Sequence, residues 1–330
     1  MTNTMKSNDI EIFVNSLRNN AYVIIEEAVS DSCIKSIFAE TLSPEVRVNP
    51  NALGSAFHGT TQFYTNIIAS SKVVHDIIVS PLVLDICKAY FGGSFELVNN
   101  RIQTTRGIIS MPWHTDNNLL DKGKLVGRHD MPGLQFVLYL TDITASPFQL
   151  IKNSHAWSLK YENQYLSDED IKELNHEVIE LTPKPGSLMI LNTHLFHRAA
   201  PLSEDTNVRS ILLFQVDKLS PDYPEHGERL LVNTEFLTEV NSLVSTFLGF
   251  GRKRRNPTFP SSSIDSLSLS KLCSLQFSLL RAFPKVFLKR ALKKILPSNY
   301  VFNFKNAVVA NRTNLLKNQT NNSSNPYLND

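Results

Sequence analysis

Apolar and polar residues repeat with two different periods along this chain, and the change of period divides it into zones. Residues 7–20, SNDIEIFVNSLRNN, carry apolar side chains at three- and four-residue spacing and predict an amphipathic helix. AYVIIEEA, residues 21–28, is a short β-branched run and predicts a strand. VSDSCIKSIFAETL returns to the helical period, with Ser30 or Asp31 placed to cap it. Residues 71–90 read as helix interrupted near Pro81, because proline has no N–H to donate and crowds the preceding turn. From residue 95 short strand-like runs take over: FELVNNRIQTT, LQFVLYLT, PFQLI, EVIELT, SLMILN and VRSILLFQV, interrupted by one short helical stretch, LSDEDIKELN. Helices followed by many short strands separated by Pro, Gly and Asp turns predict an antiparallel barrel or jelly roll. No GxGxxG is present, which disfavours a dinucleotide-binding sheet.

After about residue 230 the strands stop. TEFLTEVNSLVSTFLGFG reads as helix and is followed by the basic run RKRR (Arg252, Lys253, Arg254, Arg255) and a Ser-rich stretch, SSSIDSLSLS. From Pro284 a second amphipathic pattern begins. Phe287, Leu288, Ala291, Leu292 and Ile295 fall on one side of its helical projection, Lys285, Lys289, Arg290, Lys293 and Lys294 on the other. The expected organisation is therefore a barrel domain over 1–230, a basic helical extension over 231–305, and a disordered Asn-rich tail over 306–330.

Charge sharpens this division. The net charge of +2 conceals an acidic body and a basic end: residues 250–330 hold fourteen Lys and Arg against two acids, Asp265 and Asp330. Two readings of this basic end stay open: a helix packed on the barrel with a solvated basic face, or a segment that meets something anionic through residues 250–296, a membrane surface or an acidic carrier protein. Nucleic acid is not expected, because no recognised binding module accompanies the charge. At 42% hydrophobic over 330 residues there is ample material for a core, which excludes a disordered chain. Three cysteines without a CxxC pair argue against a cysteine-held zinc or iron–sulfur site and for a reducing compartment. No apolar run approaches a membrane span and the polar start is not a signal peptide, so a cytoplasmic protein, peripheral at a membrane if the basic helix binds one, is expected.

The candidate chemistry sits in the strand-rich zone. His114 and Asp116, in MPWHTDN, are two residues apart, so on a strand they share a face and could bind one metal ion. Downstream, PKPGSLMILNTHLFHRAAPL places His194 and His197 after an apolar strand, and Arg209 follows on the next strand. Two histidines and a carboxylate on one face of a ferrous ion leave positions for a bidentate 2-oxo acid and dioxygen. An arginine inside such a barrel has a planar fork suited to the far carboxylate of that acid. Gln149 and Gln135 lie on strands expected to line the barrel and are candidates for contacting cofactor or substrate, with ordinary strand positions as the alternative. His194 is expected to play a supporting role, Trp113 to pack, and His155 to support a turn.

These segments together resemble the phytanoyl-CoA dioxygenase family of Fe(II)/2-oxoglutarate-dependent oxygenases, over roughly residues 10–217. WHTD resembles the family's HxD element, LQFVLYLTDITASPFQLIKNSHAWS its Gly-Ser-His segment, and PGSLMILNTHLFHRAAP the strand that ends in the third metal ligand. The resemblance implies a double-stranded β-helix (jelly-roll, cupin-like), with His114, Asp116 and His197 as iron ligands and catalytic residues and Arg209 as the 2-oxoglutarate anchor. The implied reaction hydroxylates a small organic or acyl-thioester substrate, with Fe(II), 2-oxoglutarate and dioxygen as cofactor and co-substrates. Asp116 also implies hydroxylation, since the halogenating relatives lack that carboxylate. The chain departs from the family at Ser187, at Asn153-Ser154-His155 and at Arg198-Ala199-Ala200-Pro201-Leu202. Two other classes stay open: a metal-binding barrel without turnover, and a peripheral membrane or scaffold protein acting through the basic helix.

Overall fold

The computed structural model describes residues 7–41, 55–58, 61–106, 112–121, 124–128, 131–143, 146–157, 165–173, 176–200, 208–222, 226–237 and 241–254, with positions 277, 280 and 284. The chain divides into two compact units, Met1–Ser262 and Ser263–Asp330. Of the second, only the three isolated positions are described, each helical. The amphipathic pattern from Pro284 and the Asn-rich tail therefore otherwise lie outside the described residues. Among the described residues no helix is long and apolar enough to cross a membrane.

The predicted helices form where their caps stand. Helix Ser7–Asn20 precedes the first strand. Helix Asp31–Thr41 opens with Ser30, whose Oγ accepts the Cys33 N–H at 3.3 Å, so of the two candidate caps the serine is used. Helix Lys72–Ile78 is capped by Ser71, and helix Pro81–Phe91 by Ser80. Pro81 therefore opens a second helix instead of kinking one, because at the first helical position its missing N–H would have had no partner anyway.

Fourteen strands are formed by the described residues: β1 (Tyr22–Ile25), β2 (Ser55–His58), β3 (Thr61–Thr65), β4 (Phe95–Arg106), β5 (Trp113–His114), β6 (Asn118–Asp121), β7 (Lys124–Arg128), β8 (Gly133–Tyr139), β9 (Phe148–Ile151), β10 (Tyr165–Leu166), β11 (Val178–Leu181), β12 (Leu188–Asn192), β13 (His197–Ala199) and β14 (Val208–Lys218). They build one sheet in the order β1-β12-β8-β14-β4-β3-β2, a second in the order β10-β5-β13-β9-β11, and a separate β6-β7 ribbon, with every pair antiparallel. Two antiparallel sheets with helices realise the predicted mainly β jelly roll. The runs predicted as strands from residue 95 onward become β4, β8, β9, β11, β12 and β14. β5, β10 and β13, of two to three residues, are too short to show any period.

Period-2 alternation assigns the faces of the large sheet. Phe136, Leu138, Leu188, Ile190, Leu212 and Phe214 point to the helices and join their core. The Phe136 and Phe214 rings, opposite each other in the ladder, stack with centroids 4.6 Å apart. Val137, Tyr139, Met189 and Leu191 point the other way and meet Leu150 of the small sheet. Trp113, Ile151, Leu166, Ile171 and Phe196 form a third cluster, sealed by helix Asp168–Glu173. Burying each Phe or Leu side chain contributes about 1.5–3 kcal/mol, so the three clusters are what pack the two sheets and the helices together. Gly186 shapes the turn into β12. Its φ is +88°, and a Cβ there would stand 2.6 Å from the Val29 carbonyl oxygen.

Packing of the first unit continues past residue 230. Asn241 caps helix Ser242–Phe247, and Val244, Phe247 and Leu248 enter the helical core. Two residues of the basic run are folded back. Arg252 and Arg254 each place a guanidinium nitrogen 2.5 Å from the same oxygen of Glu96, which is only 1% exposed. The run expected to present free charge thus spends two of its four cations on a buried carboxylate.

Candidate metal centre

β5 and β13 lie side by side, and the register sets His114 directly opposite His197. Residues opposed in an antiparallel pair share a face, so both imidazoles point into the space between the sheets, with ring centroids 4.5 Å apart. Asp116, just past the end of β5, reaches the same place. Its carboxylate stands 3.8 Å from His114 Nε2 and 3.3 Å from His197 Nε2. One ligand atom from each of the three lies within 4.8 Å of the others, the one such cluster among the described residues. The sequence expected His114 and Asp116 to share a strand face; instead β5 ends at His114 and Asp116 comes in from the bend beyond it, so the bend and the return of the chain at His197 bring the three residues together.

The imidazoles are oriented from behind. His114 Nδ1 is 2.9 Å from the Pro112 carbonyl oxygen and His197 Nδ1 2.9 Å from that of Leu195. A carbonyl only accepts, so both Nδ1 atoms carry the proton and each Nε2 is the atom turned to Asp116. Phe148 stacks on His197 with centroids 5.2 Å apart, and Tyr165 on His114 at 6.4 Å. The aromatic rings limit where either imidazole can swing.

Electrostatics follow from this crowding. Burial, and after it the His197 charge, push the His114 pKa down to about 4, so this ring is neutral at pH 7. Burial alone would raise the Asp116 carboxyl. The His197 charge and hydrogen bond, with smaller contributions from His114 and Arg101, outweigh it and hold Asp116 down at about 2. His197 goes the other way: burial opposes its charged form, but Asp116 more than compensates and raises it above 6.5. A neutral imidazole, an ionised carboxylate and a second imidazole that gives up its proton to a competing cation form a donor set for a divalent metal. The residues present therefore fit an iron ion held by His114, Asp116 and His197.

Arg209 lies on β14 opposite Thr105 of β4 and is 6% exposed. Its Nη1 donates to Ser146 Oγ at 2.5 Å and approaches the Ala200 carbonyl oxygen at 3.5 Å. Burial lowers its pKa, with the nearby Tyr139 acting against that. Among the described residues no carboxylate pairs with it. A buried guanidinium with only neutral oxygens around it fits a carboxylate ligand.

The two glutamines part company. Gln135 on β8 is buried on the inner face, opposite Gln215 and Leu191, and its Oε1 has no hydrogen-bond partner among the described residues. Gln149 faces outward. It opposes Arg198 and Glu180 in the register, accepts from Arg198 Nε at 2.7 Å and donates to Glu180 Oε1 at 2.5 Å. The structure therefore does not bring Gln149 to the metal centre: β9 presents Phe148 and Leu150 inward, and Gln149 alternates to the other side. His194 also stays outside the ligand cluster, with its N–H and Nδ1 on the Asn192 side chain at 2.8 and 3.2 Å. Trp113 packs as expected, under the Arg198 guanidinium at 4.4 Å and with its indole N–H on Asp168. His155 sits in the 3-10 turn Ser154–Ala156.

Sequence reasoning missed the residues behind Asp116. Gln215 and Asp217, polar at alternate positions at the end of an apolar strand, gave a readable signal; His226 gave none. Arg101, on the same inner face, pairs with Glu228 at 3.6 Å.

Solved structures share this fold. The epimerase SnoN in complex with Fe3+, alpha ketoglutarate and nogalamycin RO matches with a TM-score of 0.51 and 12% identity, over 78% of this chain and 98% of its own. The alpha ketoglutarate dependent carbocyclase SnoK, from nogalamycin biosynthesis, matches at 0.50 and 13%, over 65% and 85%. HygX from Streptomyces hygroscopicus, solved with nickel and 2-oxoglutarate, matches at 0.49 and 17%, over 68% and 96%. A search of curated proteins finds no match. The model of the family described as Phytanoyl-CoA dioxygenase (PhyH) matches residues 17–209, from the first helix to Arg209 itself, and by that match over more than half its length the chain belongs to the phytanoyl-CoA dioxygenase family.

Proposed function

We propose that this protein is an Fe(II)- and 2-oxoglutarate-dependent dioxygenase that hydroxylates a small organic molecule. The observation that carries the reading is the convergence of His114, Asp116 and His197 in one interior space, with a buried arginine in the same barrel that has no carboxylate partner among the described residues. His114 and His197 would hold the iron through Nε2 and Asp116 through its carboxylate, a donor set of two histidines and one carboxylate that suits a 2-oxo acid and dioxygen as further ligands. When bound, the iron supplies activation of dioxygen coupled to decarboxylation of 2-oxoglutarate to succinate.

The chain's own residues have definable tasks. Arg209 binds the far carboxylate of 2-oxoglutarate, with Ser146 holding the guanidinium in place. Val137, Tyr139, Met189 and Leu191 keep water from the inner face. Phe148 and Tyr165 fix the two imidazoles. SnoN, crystallised with nogalamycin RO, sets the precedent for a small-molecule substrate on this fold. An acyl thioester, the substrate class the family description names, is the competing choice for the same site. A reducing cytoplasm, which keeps ferrous iron available, is the fitting compartment.

The test is anaerobic. Purified protein with Fe(II) and 2-oxoglutarate should show the weak visible absorption of the chelate, lost in His114→Ala. Admission of oxygen with candidate small molecules and acyl thioesters should then yield succinate, and the stimulating class identifies the substrate. A folded protein with saturating iron and no band would overturn the enzyme reading.

A further inference from the structure

Asp116 is the one metal ligand not held in a strand ladder. It lies at a bend past β5, and a carboxylate there could turn away from the histidines. Two main-chain hydrogen bonds hold it: its N–H donates to the Thr193 carbonyl oxygen at 3.0 Å, and its own carbonyl accepts from Gln215 Nε2 at 3.3 Å. The Gln215 amide is itself aimed. The same Nε2 donates to both oxygens of Asp217 at 2.9 and 3.1 Å, and Gln215 Oε1 accepts from Asn99 Nδ2 at 3.4 Å. Asp217 is fully buried and receives His226 Nε2 at 2.6 Å. It stands so close to β8 that a Cβ at Gly133 would fall onto its carboxylate.

We propose that His226 is a positioning residue for the metal ligand Asp116, acting through Asp217 and Gln215 on the Asp116 carbonyl. The inference rests on the metal-centre reading above. His226 belongs to the segment after β14, outside the family-matched span 17–209, so no feature of that match assigns it a role. The segment is anchored independently of the site. Glu228 N–H donates to the Val98 carbonyl, Arg254 Nη1 donates to the Glu228 carbonyl at 3.2 Å, and Arg254 is itself tied to Glu96. Gly227 lies against the Arg254 guanidinium, where a Cβ would be 3.5 Å from Cζ. The anchored segment thus presents one imidazole to a carboxylate that orients the only side chain donating to the Asp116 carbonyl among the described residues.

The chain of contacts makes a specific demand. Without the His226 donor, Asp217 keeps only Gln215 among these partners and draws its amide away from Asp116. The ligand carboxylate then loses its fixed approach, and metal affinity falls by about 10–100-fold, the usual effect of disturbing a group behind a ligand.

The experiment uses the full chain and Co(II), whose visible bands report ligand geometry. His226→Phe keeps the ring volume and removes the donor; His226→Gln can restore an N–H. The expected result is a Co(II) dissociation constant raised at least about tenfold with an altered band shape in His226→Phe, and substantial recovery of both in His226→Gln. A merely structural histidine would lower the melting temperature of metal-free protein in both variants and leave affinity and bands unchanged. That outcome overturns the inference. If His226→Phe does not fold, Gln215→Met removes the donor to the Asp116 carbonyl directly, and wild-type affinity and bands in that variant are equally fatal. Wild-type protein that binds no Co(II) would overturn the metal-centre reading along with the inference. Binding lost in His114→Ala but untouched in His226→Phe and Gln215→Met would overturn the inference alone.

Discussion

Metal uptake at the His114–Asp116–His197 cluster should depend on pH through one histidine only. In the metal-free site His197 shares its Nε2 proton with Asp116, and that contact raises its pKa above 6.5, whereas His114 sits near 4. A metal ion must displace the His197 proton, while His114 has none to lose above about pH 5. The sign is therefore fixed: affinity rises with pH until His197 deprotonates, then levels off. Below that point each pH unit costs a factor of ten, about 1.4 kcal/mol. Because Asp116 shifts the His197 pKa upward, the dissociation constant for Co(II) should rise steadily as the pH falls below that pKa. Titrations between pH 5.5 and 8.5 measure the curve, and proton release in weakly buffered solution counts the protons. One proton per ion on the acid side of the curve, falling toward none on the plateau, is expected. A flat affinity profile, or two protons released, would refute the electrostatic account.

Substitutions at three further positions probe other parts of the molecule. Glu96→Gln leaves Arg252 and Arg254 facing each other, largely buried, without their carboxylate, so urea unfolding should show a loss of about 3–5 kcal/mol; a loss below 1 kcal/mol would mean the arginines find other partners. Arg209→Leu should raise the 2-oxoglutarate concentration needed for the chelate band by about 10–150-fold, from the ~1.5–3 kcal/mol of a charged hydrogen bond, and Arg209→Lys should restore it only in part because the fork is lost. Gly186→Ala forces a positive φ on alanine and drives Cβ against the Val29 carbonyl; a thermal melt should show destabilisation of about 1–3 kcal/mol.

Local chemistry was legible in the sequence wherever the pattern was long enough to have a period. The helices over 7–20 and 31–41, the strands β4, β8, β9, β11, β12 and β14 and the turn at Gly186 follow from spacing, caps and branching. His114, Asp116, His197 and Arg209 were legible because the i, i+2 pair and the later His and Arg form an ordered series that means little singly. Tertiary structure decided the rest. Strand pairing put His197 opposite His114, and alternation on β9 turned Gln149 outward, because one residue of register separates the inner face from the outer. Folding also brought Arg252 and Arg254 back onto Glu96, more than 150 positions earlier in the chain, where a buried carboxylate selects its partners by geometry that no local pattern encodes. His226 reaches Asp116 through two other side chains from the last strand. Such contacts depend on which elements are neighbours, and neighbourhood is set by the burial of the three cores as a whole.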